Sequence, residues 1–352
     1  MDSFSHSTFA YFFLSLLMEG APFILLGTLV SGFIDVYMPS GMVERFLPKR
    51  KLPAVLTCGL LGLILPVCEC AVVPVIRRLV AKGLPVSCAF TYMLAAPIVN
   101  PVTILSTWSA FNEQQALYVT LSRIGIGYLV AVVVGVVLMY VPIEKVLRKS
   151  LLAKVSGKAE AQAEKKCEHN HEKSECCGHE HHDHKECGHD HSHGDHGASA
   201  NKLVAAMRSG MKDFVDVAVY FTIGVCLTTL FNIMQVGYFE TINSFAADTI
   251  KGTALLMVLA FVLSVCSTSD AFLAASLGTF SYASKMAFMV FGPMMDVKLL
   301  FLYQTVMRKK FLAVFCVGLF VIVGGICIAW GESETLFEWC RQFEMQLEGG
   351  AQ

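Results

Sequence analysis

Long apolar runs decide what this chain can become. Residues 9–37, 114–141, 214–235 and 311–330 carry very few charges, and apolar stretches of about 18 residues or more read as membrane-spanning helices. Hydrocarbon cannot hydrogen-bond to a backbone, so runs of this length must satisfy their own amides as helices. The expected fold class is therefore an all-α polytopic membrane protein. Composition agrees, because 16% of the residues are charged where soluble domains average about 25%. A net charge of −1 gives no electrostatic basis for binding nucleic acid. The first ten residues, "MDSFSHSTFA", lack a basic leader, and 9–37 is too long for the apolar core of a signal peptide. The first span is thus expected to stay in the mature protein, in contact with lipid.

Charge concentrates in one insert, residues 142–209, which divides the chain into a first membrane half, 1–141, and a second, 210–352. The insert holds ten of the eleven histidines and four of the thirteen cysteines. Its candidate metal donors are Cys167, His169, His171, Cys176, Cys177, His179, His181, His182, His184, Cys187, His189, His191, His193 and His196. Without apolar periodicity such a segment has nothing with which to build a core, and is expected to be disordered without metal. Imidazole takes Zn, Cu or Ni, and the thiols bias the loop toward Zn and Cu.

The two halves resemble each other. Glu19, Gly27, Cys68 and Pro97 match Asp216, Gly224, Cys266 and Pro293 at offsets of 196 to 198 residues. A near-constant offset across polar and proline positions indicates an internal duplication, a hallmark of transporters. Basic residues then suggest the path through the membrane. Lys49, Arg50 and Lys51 precede one apolar segment, and Arg77, Arg78 and Lys82 follow it. With both clusters cytoplasmic, residues 52–82 enter, turn at "PVCEC" and return. Each half then makes an odd number of crossings, so the repeats are inverted, with the histidine loop in the cytoplasm. In the alternative every segment spans fully, and Arg77 and Arg78 lie outside.

Irregular backbone within a bilayer survives only where protein or a water-filled cavity satisfies it. Matched breaks in two repeats are therefore the best pointers to a binding site. Here they are "PVCEC", with Pro66, and "VCSTSD", each with a companion: "APIVNP", with Pro97 and Pro101, and "FGPMMD", with Pro293. Pro66 and Pro74 are expected to fix the first turn. Thiolate sulfur suits soft ions, and carboxylates and hydroxyls add harder ligands. Cys68 and Cys70 are candidate ligands, with Glu69 as a further ligand or proton acceptor. Cys266, Ser267, Thr268, Ser269 and Asp270 form the second set. Asn100 and Asp296 either ligate or cap a half-helix. Glu19 and Asp216, costly acids within spans, are candidates for proton coupling, whereas Arg123 reads as a snorkelling or structurally paired residue. Cys58, Cys88, Cys226, Cys316 and Cys327 read as small apolar residues.

The blocks "PVCECAVVPVIRRLVAKGLPVSCAFTYMLAAPIVNPVTILST", "SVCSTSDAF" and "FGPMMDVK" resemble the predicted permease family that includes the ArsP-type organoarsenical exporters. The similarity is greatest to its copper and zinc efflux branch, whose members carry a His-rich loop between the halves. The resemblance implies efflux of a heavy metal or metalloid across a bacterial inner membrane, with Cys68 and Cys70 meeting the cargo. The histidine loop departs from the simpler arsenical exporters.

The expected function is thus a permease exporting Cu or Zn. No prosthetic group is expected, only transported or buffered ions, with metallochaperones or small thiols as possible partners. No GxxxxGK[ST] loop is present, which leaves secondary transport. A metal sensor is an alternative, and would give Cys68 and Cys70 no role. A metallohydrolase would call for a fixed motif such as HExxH, which the spans lack.

Overall fold

The computed structural model describes residues 6–39, 47–48, 50–64, 67–111, 116–149, 151–153, 198–235 and 248–331. The histidine-loop donors from Cys167 to His196, and Pro66, lie outside the described residues. Thirteen helices are described: α1 (His6–Tyr37), α2 (Lys51–Ile64), α3 (Glu69–Ala81), α4 (Val86–Val99), α5 (Pro101–Ala110), α6 (Ala116–Leu138), α7 (Ile143–Val146), α8 (Ala198–Gln235), α9 (Thr249–Leu263), α10 (Asp270–Ser276), α11 (Tyr282–Met294), α12 (Val297–Tyr303) and α13 (Lys309–Gly331). Six described segments are long and apolar enough to cross a bilayer: α1, α4 with α5, α6, the central part of α8, α11 with α12, and α13.

The remaining apolar helices are half-length. At 1.5 Å per residue, the 14 residues of α2 and the 15 of α9 reach only about 21 to 23 Å, short of the ~30 Å hydrocarbon core. Each is followed by a helix that turns back. Gly59 of α2 lies against Thr91 of α4, and Gly62 lies against Ala96, so α2 and α4 run parallel. The chain between them, α3, must therefore return to the end from which α2 set out. The second half repeats this arrangement. Thr253 of α9 bonds Ser284 of α11 at 3.1 Å, and Ala260 faces Gly292, which makes α9 and α11 parallel. These are the two re-entrant hairpins, α2–α3 and α9–α10.

The repeats are inverted. Gly32 of α1 meets Ala206 and Gly210 of α8, while Gly20 meets Phe221, so the two first helices run antiparallel. One end of the protein gathers the basic residues. There Leu147 and Met307 form an isolated β-bridge, and Arg78 reaches Asp35 and Asp213. At the other end Tyr118 stacks edge-on against Tyr282 at 6.2 Å and Trp330 donates to Ser122.

Two glycines paired by the repeat set close helix approaches. A Cβ on Gly27 would meet the backbone oxygen of Ala71 at 2.6 Å, and one on Gly224 would meet Lys298 Cα at 2.9 Å. In both cases the obstacle includes backbone, which cannot swing aside as a flexible side chain can. Gly27 thereby seats α1 on α3, and Gly224 seats α8 on α12. Both supported helices carry residues of the site described below.

Three proline expectations are corrected. Pro74, Pro97 and Pro293 lie inside α3, α4 and α11, not at the breaks. The breaks fall three residues beyond the last two, at Asn100 and Asp296, where backbone turns extended. A helix tolerates proline where surrounding protein satisfies the carbonyl it frees, and all three sit in buried segments. Pro101 stands at the first position of α5, where its missing amide costs nothing.

Two measurements test this arrangement. In Lys51→Cys and Pro85→Cys, an impermeant maleimide should label the new thiol from the same face of the membrane, and in Lys251→Cys from the opposite face. Labelling of Lys51→Cys and Pro85→Cys from opposite faces would replace the hairpin by a span. Gly27→Leu should overpack the α1–α3 contact, costing about 1–3 kcal/mol and lowering the unfolding temperature in detergent.

Candidate substrate site where the hairpin tips meet

The turn of each hairpin delivers a short polar segment into the protein interior. In the first, Cys68 caps α3, and its carbonyl accepts from the amides of Ala71 and Val72. Glu69 and Cys70, the first residues of α3, are buried. In the second, α9 ends at Ser264 in the left-handed conformation, φ 50°. The chain then passes through buried Cys266 and Ser267 to Asp270 at the start of α10. The tips touch: Ser267 Oγ donates to Glu69 Oε2 at 3.1 Å. Thr268 is half-buried and its hydroxyl points to Cys266 Sγ at 3.7 Å, and Ser269 is exposed.

Each companion break ends in a capped half-helix. Asn100 accepts from the amide of Val102 at 3.0 Å, and Asp296 from that of Leu299 at 2.6 Å. Capping is therefore the role that the geometry gives both residues. Ser264 ties the second hairpin to its companion break by accepting from the Val297 amide at 3.2 Å. Tyr303 closes the same break by donating to the Met294 carbonyl.

Two cations occupy this interior. Arg123, on α6 of the first repeat, is 1% exposed. It does not snorkel. Its Nη2 donates to Asp270 Oδ2 at 2.7 Å and to the Ser267 carbonyl at 3.1 Å, while Nη1 donates to Thr107 Oγ1 at 2.7 Å. Arg123 thus fastens the tip of the second hairpin to the first repeat. Lys298, two residues beyond Asp296, is also buried, its ammonium 3.8 Å from Asp296 Oδ2. It lies within electrostatic reach of Glu69, Cys70 and Cys266, and of Cys68.

Sequence reasoning gave Arg123 only a structural part and did not single out Lys298. A signal for both existed: each is a cation in an apolar segment several residues from any membrane end, where charge is costly unless paired. The candidate site therefore combines three thiols, three carboxylates (Glu69, Asp270, Asp296) and two cations. Among the described residues no three His, Cys, Asp or Glu side chains converge closely enough to hold a metal ion. All three thiols lie within electrostatic reach of the Lys298 ammonium. All eight described cysteines are free, and Cys58, Cys88 and Cys327 are buried in the core.

Glu19 and Asp216, paired by the repeat, do not come together in the tip cluster. Glu19 is half-buried on α1, Asp216 is exposed into a cavity at the basic end, and neither has a hydrogen-bond or ion-pair partner among the described residues.

Two inverted repeats, broken helices and a buried polar site at their junction define a membrane permease rather than an enzyme. Comparison with known proteins makes the assignment specific. Residues 6–329 match the family model described as "Predicted permease" (ArsP_1), and the chain belongs to this family. It is 32% identical to the "UPF0718 protein YcgR" of Bacillus subtilis over 88% of this chain and 92% of that protein. It is 31% identical to a Streptococcus mutans protein named "Putative two-component membrane permease complex subunit", over 86% of this chain and 88% of that one. No solved structure matches.

The Arg123–Asp270 pair generates a stability prediction. Removing one partner of a buried ion pair leaves an uncompensated charge and costs about 3–5 kcal/mol. Arg123→Leu should therefore lower the unfolding temperature markedly, and Arg123→Leu/Asp270→Leu should recover most of the loss. Equal instability of the single and double variants would show that the pair is not the fastening.

Proposed function

We propose that this permease exports a thiophilic heavy metal, Cu or Zn, from the cytoplasm across a bacterial inner membrane, as a secondary transporter. One observation carries the reading: the hairpin tips of both repeats bring thiols near one another, half-buried Cys68 and buried Cys70 from one side and buried Cys266 from the other, beside Glu69. Soft ions are the cargo that thiols select. A site shared by two inverted repeats suits alternating access, because rocking one repeat against the other exposes it to each face in turn. The basic end of the protein faces the cytoplasm by the positive-inside rule, which also puts the histidine loop there, as a buffer that gathers ions at the entrance. Proton exchange supplies the drive. Of the acids proposed for it from the sequence, Glu69 is the one beside the thiols.

A second reading, export of a trivalent organoarsenical, has its own observation in support. Two buried cations already balance much of the acid charge, and no three-donor cage is preformed among the described residues. Both features favour a neutral, thiol-binding cargo over a bare dication. The resemblance to ArsP-type exporters agrees with it.

Cellular content and tolerance of Cu, Zn, Cd, As(III) and methylarsenite should separate the readings. Cys68→Ser/Cys70→Ser is expected to lose export and tolerance of the true cargo at least tenfold. A deletion of residues 165–197 should lower efficiency while leaving transport in place. Export by the double serine variant at the wild-type rate would refute the site. In inverted vesicles, uptake that ignores an imposed pH gradient would refute the proton drive.

A further inference from the structure

A polar cavity of about 340 Å³ opens at the basic end, away from the hairpin tips. Four segments line it: Arg77 and Arg78 from α3, Asp216 and Tyr220 from α8, Arg148 from the stretch after α7, and Thr305 after α12. Its size falls at the lower end of the roughly 300–1,000 Å³ of small-molecule sites.

The charges in it are unequally engaged. Arg78 is fully committed: Nε donates to Asp213 at 2.8 Å, Nη1 to Asp35 at 3.0 Å and Nη2 to Ser209 at 3.0 Å. Asp213 is held further by Ser31, and Asp35 also draws in Lys82. Arg78 is thus a neutralised wall of the cavity. Arg77 and Arg148 are different. Among the described residues neither has an acid within ion-pair distance, and the Arg148 guanidinium donates only to the Gln304 carbonyl, at 3.4 Å. Asp216 shares their cavity yet lies beyond 4 Å from both, and the Tyr220 hydroxyl one turn along α8 has no hydrogen bond to a described residue. The cavity therefore offers two available guanidiniums, one available carboxylate and a phenol, held apart on rigid helices.

That pattern complements a zwitterion. Guanidiniums grip carboxylates bidentately, and a carboxylate facing them from another helix accepts an ammonium. The position adds a further constraint. Arg77 follows Cys70 by seven residues on α3, a rise of about 10 Å. Between them Val73 and Pro74 are buried, and none of the site's thiols lines the cavity. Soft metal ions prefer thiolate ligands, so a small thiol is a carrier suited to bring such an ion to the entrance and its buffering loop. We propose that this cavity is a loading vestibule binding the carboxylate-and-ammonium end of a low-molecular-weight peptidic thiol that carries the metal. The assignment of a thiol carrier rests on the export reading above. The recognition of an amino-acid-type zwitterion rests only on the cavity.

The test uses full-length protein in phosphatidylcholine nanodiscs, titrated calorimetrically with S-methylglutathione, which keeps the charged ends and blocks the sulfur. Saturable binding is expected. Arg77→Gln and Asp216→Asn should each weaken it at least tenfold, and Arg77→Lys, which keeps the charge but loses the bidentate grip, should weaken it less than Arg77→Gln, each variant eluting as a single species by gel filtration. No saturable binding, or equal affinity in Arg77→Gln, overturns the proposal. If inorganic phosphate binds as tightly, or phosphatidylglycerol in the disc abolishes probe binding, the cavity is an oxyanion or lipid-headgroup site and the zwitterion assignment falls. Because the probe's sulfur is blocked, its binding does not depend on Cys68 or Cys70. Failure of metal export with intact probe binding would therefore sink the export reading and leave this vestibule standing.

Discussion

Four helices end inside this protein, and each leaves backbone groups that hydrocarbon cannot satisfy. The four terminal amides and four terminal carbonyls of a helix need partners, and in a bilayer those partners must be protein or trapped water. The chain supplies them with its few interior polar side chains. Asn100 and Asp296 cap α5 and α12, Ser264 takes the Val297 amide, and Tyr303 donates to Met294. A cluster of polar groups at the centre is thus the requirement for having breaks there at all. The same buried cluster, shared by both repeats, is the candidate site.

The same constraint explains why the tips are charged and not merely polar. Three acids around one junction would repel each other if left alone. Arg123 and Lys298 offset them, and Arg123 does so across the repeat boundary, from α6 to the α9–α10 turn. The buried atoms Arg123 Nε and Asp270 Oδ1 remain without a hydrogen-bond partner among the described residues. Arg123 has donors, and Asp270 an acceptor, to spare for a water or a cargo group. Rigid fastening and spare hydrogen-bonding capacity are both useful to a permease that must hold its site together while changing what the site touches.

Inversion gives the two ends of the molecule different work. The ion-paired network of Arg78 with Asp35 and Asp213 ties α1, α3 and α8 together at the basic end. At the opposite end the contacts are aromatic and weakly polar, Tyr118 with Tyr282 and Trp330 with Ser122. The glycine contacts carry the asymmetry inward, because Gly27 and Gly224 occupy equivalent places in the repeats but receive different partners, Ala71 and Lys298. The duplication is therefore exact in topology and not in packing.

The sequence by itself determined the class, the duplication and the places where helices break, because hydrophobic length and polar interruptions are local properties. Cys68, Glu69, Cys70, Cys266, Ser267, Asp270, Asn100 and Asp296 were all legible as interruptions. It misplaced the prolines, since Pro74, Pro97 and Pro293 look like breaks along the chain yet lie inside buried helices. Only the tertiary structure decided what pairs with what. Arg123 meets Asp270 147 residues later in the chain, and Glu69 meets Ser267 198 residues away. No local pattern encodes which acid a buried cation will find. That choice is made where two inverted halves close on each other, and the cost of leaving any of these charges unpaired in a dry interior forces it.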